Sequence, residues 1–256
     1  MSLKEMSSVW GMQPNGVLHV GAHLAEEASE YESFGWLPVI WVEAQPELVK
    51  VLRNRLSKDQ HQVFEAAIWD EDRVKMTFLM ANNSQSSSLL NFGSHSKSYP
   101  SILMDREFEV STVRLDTLLS QNDIPNFANF DIQGVEGRAI MSLGKRIESI
   151  DAIYTEVNRK EVYVGCMQIN EMDNLLKSKG FRRVAVRWVL FKGWGDALYL
   201  RTGVYDYSIK KRIREFGYIC NFYRLQLLNL IVGSAKLFLK RFILRRATYR
   251  NESIDR

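Results

Sequence analysis

Up to about residue 200 the chain alternates short apolar, β-rich runs with stretches of helical periodicity. This is the pattern of a parallel sheet whose strands are joined by crossover helices, an α/β fold. Val17 to Val20 reads as a first strand and Leu24 to Phe34 as its helix. Val39 to Val42 reads as a second strand, followed by a helix from about Pro46, whose ring suits a first helical turn. Val63 to Ile68 reads as a third strand and Val74 to Met80 as an extra one. Asn82 to Pro100 is polar, Ser-rich and long for a loop in a compact domain, a length usual for lids, binding loops or disordered segments. Phe108 to Leu115 resumes the strand pattern, Asp116 begins a short helix, and Phe127 to Ile132 supplies a fourth parallel strand. A helix through Glu136 to Leu143, a strand from Ala152 to Val157 and an amphipathic helix from Gln168 to Lys179, closed by Gly180, follow. The last strands are expected at Arg183 to Trp188 and Ala197 to Arg201.

The pattern changes after about residue 203, which divides the chain into a domain over 1–203 and an extension over 204–256. The extension is basic and helical in pattern, with an apolar run from Leu225 to Leu239 broken by Asn229 and Lys236. The net charge of +4 conceals this asymmetry: residues 201–256 hold 13 Lys and Arg against 4 Asp and Glu, leaving 21 against 26 before them. Two readings stay open for the extension, an interfacial helix on a membrane surface and a helix packed on its own domain. The acidic body argues against a nucleic-acid substrate. Two cysteines far apart exclude a disulfide framework or a CxxC metal site. No stretch is apolar enough for a signal peptide or a spanning helix, so a cytoplasmic protein is expected, with peripheral membrane contact through the extension.

An open parallel sheet binds ligands beyond the carboxyl ends of its strands. After the first strand stand Gly21, Ala22 and His23; Gly21 lets the backbone turn tightly and approach a ligand. After the second stands Glu43, 22 positions on, placed to accept from both ribose hydroxyls of an adenosine. The run G-A-H-L-A-E lacks the later glycines of a dinucleotide site, and Glu26 and Glu27 would repel a pyrophosphate. They suit a ligand with a positive end, such as S-adenosylmethionine, although a glycine turn here also occurs for packing reasons. No P-loop motif is present.

The order of motifs resembles the FkbM-type family of class I methyltransferases: VLHVGAHLAEE, VIWVEAQPELVKVLRN, FEAAIWDED, QSSSLL, VSTVRLDTLL, NFDIQGVEGRAIMSLG, IYTEVN and FKGWGDALYLR. The resemblance spans about residues 16–201. It implies a Rossmann-like, mostly parallel seven-stranded sheet with helices on both faces and an antiparallel last strand. It further implies methyl transfer from S-adenosylmethionine, usually to an oxygen of a sugar or other small polar acceptor. His19 stands where that family commonly has Asp, and Ala25 where it often has Gly. These departures motivate an alternative, a catalytically idle binding or scaffold protein on the same fold.

The cofactor contacts expected are His19, Gly21, Ala22, His23, Glu43, Ala44, Gln45, Ala66, Ala67, Ser87 and Asp131, with Ser86 and Ser88 beside Ser87 in the serine loop. Methyl transfer is an in-line displacement that needs alignment and a base for the acceptor's proton. Asp131, Glu136, Glu156 and His23 are the candidates for that base. No ligand spacing demands a metal, and none is expected.

Overall fold

The computed structural model describes residues 1–205, 211, 213–230 and 232. An amphipathic helix, α1 (Leu3–Trp10), precedes the first strand, β1 (Val17–Val20). Then come α2 (Ala28–Phe34), β2 (Val39–Glu43), α3 (Pro46–Arg55), β3 (His61–Glu65), β4 (Ala67–Ile68) and β5 (Lys75–Ala81). A single-turn α4 (His95–Ser98) leads to β6 (Met104–Val113), α5 (Leu115–Leu118), β7 (Phe127–Phe130) and α6 (Glu136–Ser142). The remainder is β8 (Ala152–Asn158), α7 (Ile169–Ser178), β9 (Phe181–Trp188) and β10 (Trp194–Arg201).

Seven strands form one sheet in the order β3-β2-β1-β7-β8-β10-β9. The first five are mutually parallel, and β10 runs antiparallel to both β8 and β9. The strand order reverses between β1 and β7, which opens a crevice at their carboxyl ends. Strands β1, β2 and β7 are buried at every position, as a sheet covered on both faces requires. One core layer packs Trp10, Tyr31, Trp36 and Trp41 beneath α1 and α2; the other packs Leu18, Phe130, Ile140, Ile153 and Leu176 beneath α6 and α7. Local chemistry sets the helix starts. Pro46 occupies the first turn of α3, and Gln168 with Glu171 makes a reciprocal capping box at α7.

Three sequence expectations are revised. The helix after β1 begins at Ala28, because His23 (φ 44) and Ala25 (φ 49) take left-handed backbone that no helix can include. The third strand is two: β3 stays in the main sheet, while β4 pairs with β6 in a separate sheet of order β4-β6-β5. The helix α1, which the N-terminal pattern did not suggest, is closed by Gly11 in left-handed backbone and carries a buried acid, Glu5. That acid pairs with Arg187 of β9, which also meets Glu215 at 3.4 Å. Glu215 belongs to a helix over residues 213–230. The rest of the apolar run expected up to Leu239 lies outside the described residues, save position 232. Among the described residues no helix is long and apolar enough to cross a membrane.

Candidate active site

The site grows from the crevice beside β1. Gly21 leaves the strand at φ 91, and the amides of Gly21 and Ala22 both donate to the Val42 carbonyl, at 2.9 and 3.1 Å. The turn beyond it is fixed by Glu43, whose Oε2 accepts the His23 amide at 2.8 Å while its Oε1 accepts that of Gln45 at 2.8 Å. Burial pushes the Glu43 carboxyl up, and these two amides oppose that rise. Each carboxylate oxygen keeps a lone pair for a ligand.

Glu43 faces a cavity of about 550 Å³, counted with its open mouth. Ala44 and Gln45 after β2, and Ala66 and Ala67 around the β3–β4 break, line it together with Gly21, His23, Ser87 and Asp131. Val20, Val42, Ile68, Phe78 and the alanines give it an apolar wall, while Gln45, Ser84 and Gln85 join Glu43 in a polar one, a mixture suited to a flat heteroaromatic ring joined to a diol. Ser87 donates no bond into the cavity in this arrangement; its Oγ accepts the amide of Ala81. Ile68 and Leu89 add further apolar wall that the motifs did not indicate.

The serine loop closes over this cavity. His23 is hydrogen-bonded through Nδ1 to Glu26 at 2.7 Å and through Nε2 to Ser84 Oγ at 2.8 Å, and Gln45 Nε2 donates to the Ser84 carbonyl at 3.3 Å. Both ring nitrogens of His23 are thereby engaged, which makes it a strut between turn and loop. Ser88 donates to the Gln133 carbonyl at 2.7 Å, and its backbone bridges to Leu79 of β5. Ser86 sits on the other side of the loop, against a second cavity.

That second cavity measures about 1050 Å³ and is bordered by Ala22, Glu27, Glu156, Tyr163 and Trp194, with Asp131 at the junction of the two. Asp131 is exposed to the open space of both cavities; the density of protein around the crevice first, and then the nearby Asp196, raises its carboxyl to about 6. Gln133, at φ 56, donates from Nε2 to Asp131 at 2.6 Å, and its Oε1 accepts from Tyr163 at 2.6 Å. Neither Gln133 nor Tyr163 was among the expected site residues. Glu156 lines the second cavity, and burial together with Glu136 and Asp131 holds its carboxyl well above the usual range.

Glu136 and His19 are placed differently. Glu136 lines neither cavity: its carboxylate accepts the amides of Ile132 at 3.0 Å and of Gly134 at 3.0 and 3.1 Å, closing the turn that carries Asp131. Burial raises it to about 7. The His19 ring borders the second cavity but turns into the core, stacked 4.7 Å from Trp41 with Nδ1 against Tyr31 and Asn129. Burial lowers it to about 3, so it is a neutral ring that brings no charge to the crevice. Among the described residues no three His, Cys, Asp or Glu converge as metal ligands.

The profile of the methyltransferase FkbM domain matches residues 19–183. No curated protein matches the chain. Among solved structures, Sp1610 of Streptococcus pneumoniae, provisionally assigned as a tRNA methyltransferase, is 13% identical, with 84% of this chain and 78% of that one covered and a TM-score of 0.45. The ribosomal protein L11 methylase of Lactobacillus delbrueckii subsp. bulgaricus is 10% identical over 78% of this chain and 76% of its own, with a TM-score of 0.44. Magnesium protoporphyrin IX methyltransferase of Synechocystis PCC 6803 is 9% identical over 73% and 69%, with a TM-score of 0.42.

Proposed function

The chain belongs to the FkbM methyltransferase family, and from that premise we propose that it methylates a hydroxyl of a sugar or similar small polar acceptor, using S-adenosylmethionine. The observation that carries this reading is the position of Asp131, shared by the cavity that Glu43 faces and by a larger one with more polar wall. The cofactor supplies a methyl group on a positively charged sulfur. Glu43 fits the ribose diol, since its two oxygens keep acceptor capacity beyond the His23 and Gln45 amides. Ala44, Ala66 and Ala67 leave room for the adenine, and the Gly21 turn gives the backbone a close approach.

In the second cavity Asp131 takes the proton of the acceptor hydroxyl as that oxygen gains the methyl group that bound S-adenosylmethionine would supply, with S-adenosylhomocysteine as the other product. A base that titrates near 6 is ionised at neutral pH and still basic enough to accept that proton. Glu156, whose carboxyl burial and the neighbouring acids hold well above the usual range, offers a second polar group to the acceptor on the same wall. The described lining of this cavity holds Glu26, Glu27, Asp131 and Glu156 but no Lys or Arg, together with Tyr99 and Trp194. Carboxylates with aromatic faces suit a neutral polyol and repel a phosphate backbone.

Turnover of labelled S-adenosylmethionine with hydroxylated acceptors, beside calorimetric titration with S-adenosylhomocysteine, tests the proposal. Asp131→Asn is expected to lower kcat by about 10²-fold or more while leaving product binding in place. Binding without turnover on any such acceptor favours the idle-scaffold alternative, which the inward turn of His19 supports. Absence of binding removes both.

A further inference from the structure

The turn joining β9 to β10 carries Phe191, whose ring is 86% exposed and whose backbone stands at φ 64. A bulky residue is strained at that angle, and such outliers mark places where the side chain has a use. Beside it, Lys192 lies 4.1 Å over the Tyr99 ring and donates to the Ser98 carbonyl at 2.8 Å. Tyr99 and Trp194 wall the second cavity. On the other flank of the turn, Gln226 accepts the Leu190 amide at 2.9 Å and donates to the Trp188 carbonyl at 3.0 Å. The turn therefore joins the helix over residues 213–230 to the mouth of that cavity along one edge.

This helix inserts Glu215 and Tyr223 toward the sheet and leaves Ile213, Phe216, Leu227 and Leu230 exposed. From residue 216 to 251 the sequence has seven Lys or Arg and no Asp or Glu. We infer that this edge docks on an anionic lipid bilayer, with Phe191 and the helix's outer apolar side chains in the headgroup boundary and the second cavity opening toward acceptors held in that surface. Exposed Leu and Phe interleaved with cations match a surface that offers apolar depth and negative charge together. A nucleic acid would satisfy the charge and leave the apolar side chains in water, and a second copy would bring the same positive charge to the contact. That the second cavity receives an acceptor rests on the methyltransferase reading above; the docking does not.

The test is flotation of the full-length protein with vesicles of phosphatidylglycerol and, separately, phosphatidylcholine. Flotation is expected with the anionic vesicles and is expected to weaken in about 1 M salt, where the screening length falls to roughly 3 Å. Leu227→Ser and Phe191→Ser are each expected to weaken anionic-vesicle affinity about tenfold, the effect of withholding one large apolar side chain. Unchanged S-adenosylhomocysteine titration shows that both variants are folded. No flotation, or flotation indifferent to Leu227→Ser, overturns the docking. Flotation indifferent to Phe191→Ser overturns the orientation of the cavity. A dimer abolished by Leu227→Ser without flotation assigns the face to a second copy and also overturns the proposal. Normal flotation without any S-adenosylhomocysteine binding removes the functional reading alone.

Discussion

Gly21 lies so close beneath Asp131 that a β-carbon on it would stand 1.8 Å from the Asp131 carbonyl oxygen. The contact is backbone against β-carbon, so no side-chain rotation relieves it, and the φ of 91 is itself hostile to an L-residue. Gly21→Ala is expected to destabilise the protein by roughly 3 kcal/mol through forced displacement of the β1 and β7 ends. Chemical denaturation measures the loss. A midpoint within error of the wild type would show that the two strand ends yield freely.

Glu43→Gln leaves an amide that can accept with one oxygen only, so either the His23 or the Gln45 amide loses its partner. A hydrogen bond to a charged group contributes about 1.5–3 kcal/mol, which predicts roughly 10- to 100-fold weaker S-adenosylhomocysteine binding. Calorimetric titration reads this directly, and equal affinity in the variant removes Glu43 from the cofactor site.

The raised Asp131 carboxyl gives two pH signatures. If Asp131 is the base, kcat rises with pH through an apparent pKa of about 6, and Asp131→Asn abolishes that limb. For stability, the folded protein holds a proton that the unfolded chain releases near 4. The folded state therefore binds more protons between about pH 4 and 7, and stability falls as pH rises through that window. Asp131→Asn is expected to match the wild-type melting temperature near pH 4 and to exceed it above about pH 7. A constant difference across the range would contradict the assigned shift.

Arg187 is 1% exposed between the acids of α1 and the helix over residues 213–230. Burial raises Glu5 even though Arg187 opposes it. Arg187→Met leaves buried carboxylates without a counter-charge, at an expected cost of about 3–5 kcal/mol. Deletion after Gly203 removes Glu215 but keeps Glu5, so the shortened chain is expected to bind S-adenosylhomocysteine and to melt at a lower temperature. Scanning calorimetry of both proteins decides this.

How legible the molecule was in its sequence follows from the range of each interaction. Strands β1, β2 and β7 are short runs dominated by apolar residues, α3 begins with Pro46, and Gln168 caps α7; all are local signals. The placing of Glu43 and Gly21 beside the crevice was legible because both stand where strands end at a parallel sheet's carboxyl edge. The left-handed backbone of His23 and Ala25 was not, since neither residue type announces it. Tyr163 reaches Gln133 across 30 residues, a pairing that only the folded chain creates. Glu136 looks from the sequence like a carboxylate available for chemistry, and its use in closing a turn depends on amides whose directions no motif encodes.

His23 and Gln45 each serve twice: their amides go to Glu43 and their side chains to Ser84. The floor of the cavity that Glu43 faces and the loop above it are therefore linked through the same two residues. Any ligand that steadies Glu43 raises the occupancy of the closed loop, and whatever closes the loop tightens the ligand by the same factor, because linkage is reciprocal. Occupancy of the cavity and protection of residues 82–88 from exchange or proteolysis should thus rise together, as two readings of a single equilibrium.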